Sequence, residues 1–166
     1  MKAIIKLLVV CCVGAVGFAG CSSLKMTDEE KAIQETTLRS AIEARAYIVD
    51  VNRMVPMKGG SKMLTSLYSL EIKGDTIISY LPYFGEAYNI PYGGCKGLNF
   101  KAVITRYNQQ FDSKGKAVIE VETKNEEDTY LYAIEIFPGG SSSINVNSCN
   151  RQPISFYGTA SKITEK

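Results

Sequence analysis

The period of the chain changes near residue 45. From Ala46 onward apolar and polar positions alternate, beginning with Tyr47, Val49 and Val51; this is the two-residue repeat of strands with one buried and one wet face. In 98–104 the alternation turns Leu98, Phe100, Ala102 and Ile104 inward, and in the following run Ile119 and Val121 face away from Val118, Glu120 and Glu122. Turn signals recur between the runs at Lys73-Gly74-Asp75, Asp112-Ser113-Lys114-Gly115, Lys124-Asn125-Glu126-Glu127, Pro138-Gly139-Gly140 and Cys149-Asn150, where Gly, Asn, Asp or Ser supplies a positive φ or a local side-chain hydrogen bond. About eight strands joined as consecutive hairpins follow. Upstream, Thr27-Asp28-Glu29-Glu30 is a capping box, in which the Thr hydroxyl accepts from the third helical amide and the Glu reaches back. It predicts a helix with Ile33, Thr37, Leu38, Ala41 and Ile42 on one face and a Glu35–Arg39 pair at i,i+4. The predicted fold is α+β and mostly β: an N-terminal helix packed on a single curved antiparallel meander sheet or a partly closed barrel. The pattern does not choose between sheet and barrel.

The first residues follow neither period. Lys2 and Lys6 precede an apolar run from Leu7 to Ala19; a membrane-crossing helix needs roughly 20 apolar residues, so the run fits the core of a secretion signal instead. It ends in Phe18-Ala19-Gly20-Cys21, which resembles the lipobox of bacterial lipoproteins. That resemblance implies cleavage before Cys21, a diacylglyceryl thioether on its sulfur and acylation of the new amine, palmitate among the chains. Two or three acyl chains at about 0.8 kcal/mol per buried CH₂ hold a protein at a membrane. The expected organisation is a signal peptide over 1–20, a lipidated tether over 21–27 and one β-rich domain with its helix over 28–166. Ser22 follows the cysteine, with no Asp beside it, so the expected location is the cell envelope at the outer membrane, on its periplasmic face or at the cell surface. The membrane is thus the first expected partner.

Charge narrows the partners further. Of 19 Lys and Arg, Lys2 and Lys6 leave with the signal, so 17 basic residues balance 17 acidic ones. A neutral protein without a basic stripe gives nucleic acid no electrostatic foothold. The chain contains no His, which removes Ser-His-Asp and Cys-His catalysis and the usual His-bearing metal sites. Ser22-Ser23-Leu24-Lys25 has the spacing of a serine acyl-enzyme motif but lies in the tether without its companion elements. Neither Lys58-Gly59-Gly60 nor Gly93-Gly94 has the flanking spacing of a phosphate-binding loop. No cofactor, metal site or catalytic residue is assigned. Once Cys11, Cys12 and Cys21 are set aside, Cys95 and Cys149 form the one pair available for an internal disulfide, which would restrict the unfolded chain by roughly 4 kcal/mol.

One stretch is unlike generic strand sequence. Tyr80-Leu81-Pro82-Tyr83-Phe84-Gly85-Glu86-Ala87-Tyr88-Asn89-Ile90-Pro91-Tyr92-Gly93-Gly94 gathers Tyr80, Tyr83, Phe84, Tyr88 and Tyr92 among prolines and glycines. Prolines fix φ and remove donors, and aromatic rings offer large contact area at small entropy cost. Those five rings with Glu86 are the candidate ligand-binding set, and the other reading has the rings closing one end of the barrel as core. Leu81-Pro82-Tyr83-Phe84-Gly85-Glu86-Ala87-Tyr88 with Pro91-Tyr92-Gly93 and Gly97-Leu98-Asn99-Phe100, together with Val55-Pro56-Met57-Lys58-Gly59-Gly60-Ser61, Tyr68-Ser69-Leu70-Glu71-Ile72-Lys73-Gly74-Asp75 and Ile154-Ser155-Phe156-Tyr157-Gly158, resembles the signature of domain of unknown function 4251, found in lipoproteins of Bacteroidetes. The resemblance spans roughly residues 40–160. It implies a secreted, β-rich lipoprotein and carries no activity with it. Two functions remain: a non-enzymatic envelope module that binds a protein, glycan or small amphiphile through the aromatic loop or a barrel mouth, and a carboxylate-dependent hydrolase of envelope polysaccharide using Glu86. The hydrolase needs a second carboxyl roughly 5–10 Å from Glu86.

Overall fold

The computed structural model describes residues 27–86, 88 and 97–164. Helix α1 spans Asp28–Glu43, and both halves of its capping box form: Glu30 N donates to the Thr27 hydroxyl at 3.3 Å, and Thr27 N to the Glu30 carboxylate at 2.8 Å. Only Leu38, Ala41 and Ile42 are buried. Ile33 and Thr37, expected on the packed face, point into solvent, and Arg39 pairs with Glu43 at 3.0 Å rather than with Glu35. The helix therefore docks by its last two turns, burial of Leu38 and Ile42 contributing roughly 1.5–3 kcal/mol each. Arg45, in the left-handed region at φ 51°, turns the chain into the first strand.

Eight antiparallel strands follow in a meander: β1 Ala46–Pro56, β2 Lys62–Lys73, β3 Thr76–Leu81, β4 Leu98–Phe111, β5 Ala117–Lys124, β6 Thr129–Ile136, β7 Ser141–Ser148 and β8 Ile154–Lys162. Each pairs with the next, and β8 pairs back onto β1 from Tyr47↔Lys162 to Pro56↔Ile154, closing a barrel. Closure removes the two edges that a flat sheet would expose. The interior is filled rather than hollow. Tyr47, Tyr130, Tyr132, Phe156, Leu70, Ile72, Ile119 and Ile134 are fully buried within it, so the barrel mouth gives onto a packed core. The alternation expected for β1, β4 and β5 is the observed one.

Two irregularities were not visible in the period. Between Val51 and Arg53 the register of β1 shifts against both neighbours, and between Ile104 and Arg106 that of β4 shifts against β5. Each inserts residues that change which parity faces inward, so Tyr107, Gln109 and Phe111 turn in beyond the second shift. The barrel wall is also thin in two places. β2 pairs with β3 only from Ser69 onward, and β4 pairs with β5 only from Ile104 onward.

α1 sits at the end of the barrel that holds the β2–β3, β4–β5 and β6–β7 turns. The opposite end holds the β1–β2, β3–β4, β5–β6 and β7–β8 loops. Asp112 shows how the turns are made: its Oδ1 accepts the amides of Lys114 at 2.8 Å and Lys116 at 2.9 Å. Among the described residues no helix is long and apolar enough to cross a membrane.

The buried phenols make stability depend on alkaline pH. Burial is the main cause that raises Tyr47 and Tyr132 well above the ordinary phenol range, with the Tyr132 hydroxyl 3.2 Å from Ser79 Oγ. An unfolded chain loses these protons near pH 10 while the folded one keeps them, so above pH 10 the unfolded state binds fewer protons and stability falls as pH rises. Below pH 10 the contribution is fully present. The unfolding free energy in urea is expected to be flat to about pH 9 and then to fall by about 1.4 kcal/mol per pH unit for each such phenol. Tyr47→Phe should flatten that slope by one phenol's share. An unchanged slope would mean that Tyr47 already reaches water.

Candidate functional site

Pro82 ends the β3 ladder, since it has no amide to donate; the last pair is Leu81↔Leu98. The chain then crosses the loop end of the barrel toward the β7–β8 loop. Tyr83 folds back, half-buried, with its hydroxyl 2.9 Å from the Glu86 carbonyl and 3.2 Å from the Gln152 carbonyl. A Cβ at Gly85 would lie 2.8 Å from that hydroxyl, so the glycine in Phe84-Gly85-Glu86 lets backbone cover the ring's polar tip. Two ladder-like bonds tie the segment to β7–β8: Gln152 N to the Glu86 carbonyl at 3.1 Å and Tyr88 N to the Asn150 carbonyl at 2.7 Å. The Gln152 amide side chain completes the clamp, donating to Glu86 Oε2 at 2.8 Å and accepting Glu86 N at 3.4 Å.

Under the clamp lies a charged layer. Arg151 is 4% exposed, with Nη2 2.7 Å from Glu127 and Nη1 donating to the Gly97 carbonyl at 2.8 Å. Its guanidinium carbon stands 5.4 Å from the centre of the Tyr83 ring. Asp128, also buried, accepts the amides of Thr129 and Asn150.

With the backbone held in this way, the aromatic faces turn outward. Tyr80 and Phe84 are each 51% exposed and Tyr88 69%. Lys62 Nζ sits 3.3 Å above the Phe84 ring, and Lys58 pairs with Glu86 at 3.1 Å. Lys58, Tyr83, Phe84, Gly85, Glu86 and Gln152 line an open hollow of about 360 Å³, in which Glu86 is the sole carboxylate among the described residues. Tyr80 stands apart on the barrel wall, its ring centroid 5.5 Å from that of Tyr68.

The candidate set thus divides. Tyr83, Phe84 and Glu86 come together, Tyr88 follows them on the segment clamped to Asn150, Tyr80 lies apart beside Tyr68, and Tyr83 takes part in closing the barrel end. Tyr92, Cys95 and Cys21 lie outside the described residues. Cys149 is an exposed thiol in the polar β7–β8 loop, and its expected partner in a disulfide, Cys95, lies outside the described residues. Among the described residues no cluster of three or more His, Cys, Asp or Glu side chains is placed to hold a metal ion. Sequence reasoning missed Lys58, Lys62, Glu127, Arg151 and Gln152. The available signal was the pair Arg151-Gln152 before Pro153, two long polar side chains in a loop too short to need them.

The chain matches the family described as Domain of unknown function (DUF4251) over residues 29–160. No curated protein matches it. Among solved structures it is similar to a DUF4251 family protein from Bacteroides eggerthii DSM 20697, with a TM-score of 0.61 at 13% identity, covering 79% of this chain and 89% of that one. At that identity the likeness is one of fold.

Proposed function

We infer, for a chain that belongs to the family of domain of unknown function 4251, that it works as a lipid-anchored envelope protein whose aromatic loop binds a ligand without chemical conversion. The observation that carries this reading is the exposure of Phe84 and Tyr88 on a backbone clamped at Glu86 and Tyr88 to the β7–β8 loop. Rings left in water on a rigid frame lose little entropy when they are covered.

The layout agrees with an anchor at Cys21. The first ten residues of α1, Asp28 to Thr37, are all exposed, a projecting helical spacer of about 15 Å. It leaves from the end of the barrel opposite the rings, so a lipid there would turn the aromatic end away from the bilayer. Glu86 is held by Lys58 and Gln152 with no second carboxylate in its hollow among the described residues, an arrangement suited to orienting a polar group rather than to paired acid and nucleophile chemistry. An apolar platform beside a carboxylate, an amide and an ammonium suits a sugar ring, which offers C–H faces and hydroxyls together.

Two measurements test this. Cys21→Ala should abolish incorporation of labelled palmitate and release the protein from the membrane fraction; retention would overturn the anchor. For the site, envelope polysaccharide fragments titrated against the protein should bind with at least tenfold lower affinity to Phe84→Ala/Tyr88→Ala, about 1.4 kcal/mol, at unchanged melting temperature. Equal affinity in the folded variant would sink the loop as the binding surface.

A further inference from the structure

Between Leu98 and Val103, β4 has a partner on one side only. β3 pairs along all of it, from Leu81↔Leu98 to Thr76↔Val103, whereas β5 joins only at Ile104↔Thr123. The direction of the free groups follows from one bond: Ile104 N donates to the Asp75 carbonyl on the β3 side at 2.8 Å. Antiparallel strands alternate which side their amides face, so Asn99, Lys101 and Val103 aim theirs at the gap. The Val103 carbonyl there accepts the Thr123 hydroxyl at 2.8 Å. Among the described residues the other backbone groups of this edge have no partner.

The gap has room. A hollow of about 470 Å³ runs along the edge, with Lys124 at the end of β5 and Glu126 and Glu127 of the β5–β6 connection on the far wall. Phe100 and Ala102 form its floor, half-buried, and the Phe100 ring stacks on Tyr130 with centroids 4.7 Å apart. An unpaired edge above an apolar floor is a template for strand addition.

We propose that the β4 edge from Asn99 to Val103 receives an extended segment of another polypeptide, alternating apolar and acidic residues. Its amides and carbonyls would complete the ladder, and its apolar side chains would cover Phe100 and Ala102. The acidic alternate positions come from charge: Glu127 is neutralised by Arg151, which leaves Lys101 and Lys124, without an ion pair among the described residues, against Glu126 alone. A second copy of this chain fits badly, because antiparallel pairing of two β4 edges about their middle places Lys101 opposite Lys101.

Residue-resolved amide hydrogen exchange on the full chain tests this. In the free protein Asn99, Lys101 and Val103 should exchange at least a hundredfold faster than Phe100, Ala102 and Ile104. A hexapeptide alternating Val and Glu at millimolar concentration should slow Asn99, Lys101 and Val103 at least tenfold. Lys101→Glu should lose that protection while Phe100 and Ala102 stay protected, which shows the barrel intact, and should respond instead to a peptide alternating Val and Lys. Protection of Asn99, Lys101 and Val103 without any peptide would mean that the edge is already covered, and overturns the proposal. Exchange unmoved by the acidic peptide overturns it as well.

Discussion

Gly158→Ala is expected to cost at least about 3 kcal/mol and to lower the melting temperature by roughly 10 °C, more than small overpacking changes in a core usually cost. Gly158 pairs with Val51 of β1 on one side and with Ser142 of β7 on the other, at the place where the register of β1 shifts before Arg53. The shift brings the β1 backbone over β8. A Cβ at Gly158 would overlap the Asp50 carbonyl oxygen and come within 2.8 Å of the Asp50 carbonyl carbon and 2.9 Å of Val51 Cα. These are main-chain atoms fixed by hydrogen bonds on both sides, so no side chain can rotate to make room. The barrel must either open the seam between β1 and β8 or lose the bulge. Gly139, where an added Cβ meets nothing within 4 Å, is the matched control, and Gly139→Ala should leave thermal unfolding followed by circular dichroism within a degree or two. A loss below about 1 kcal/mol at Gly158 would show that the β1 bulge can slide, and would remove the physical reason for a glycine in Phe156-Tyr157-Gly158.

That glycine marks the boundary of what the sequence discloses. Alternation identified the inward residues of β1, the first half of β4 and β5, because a strand with one wet face must alternate whatever it pairs with. It left sheet against barrel open, since closure depends on β8 meeting β1 across the whole length of the chain, and neither strand carries a local mark of it. Bulges defeat periodicity for the same reason. The extra residue at Asn52 or Thr105 is defined by a partner strand, so Tyr107 and Gln109 turn inward against the parity set by Phe100 and Ala102. For α1, the capping box was legible because its bonds span three residues, whereas exposure of Ile33 depends on how far the helix overhangs the barrel. At the candidate site, aromatic density pointed to the loop that the structure clamps to β7–β8. The division of labour within it, Tyr83 inward and Phe84 and Tyr88 outward, comes from Gln152 and Arg151, nearly seventy residues away.

Arg151 is where that long-range dependence can be measured. Its guanidinium holds Glu127 of the β5–β6 loop at 2.7 Å and the carbonyl of Gly97 at the entry to β4 at 2.8 Å, so one side chain of the β7–β8 loop ties together three of the connections at the aromatic end. Arg151→Met keeps most of the apolar volume but leaves the Glu127 carboxylate, 20% exposed, and the Gly97 carbonyl without their donor. Removing one partner of a buried ion pair costs about 3–5 kcal/mol, mainly because the other charge stays buried. The loss should appear as a lower urea midpoint at unchanged m-value. Arg151→Met/Glu127→Leu, which removes both charges, should be more stable than Arg151→Met alone. Arg151→Lys separates positioning from charge: an ammonium can hold Glu127 but cannot fork to Gly97 as well. That variant should keep more stability than Arg151→Met and still loosen the seat of Tyr83, so that affinity at the Phe84–Tyr88 surface falls by more than its stability predicts. If Arg151→Lys binds as tightly as the native protein, the rings are positioned by the Gln152 clamp alone and the charged layer serves only to hold the barrel end shut.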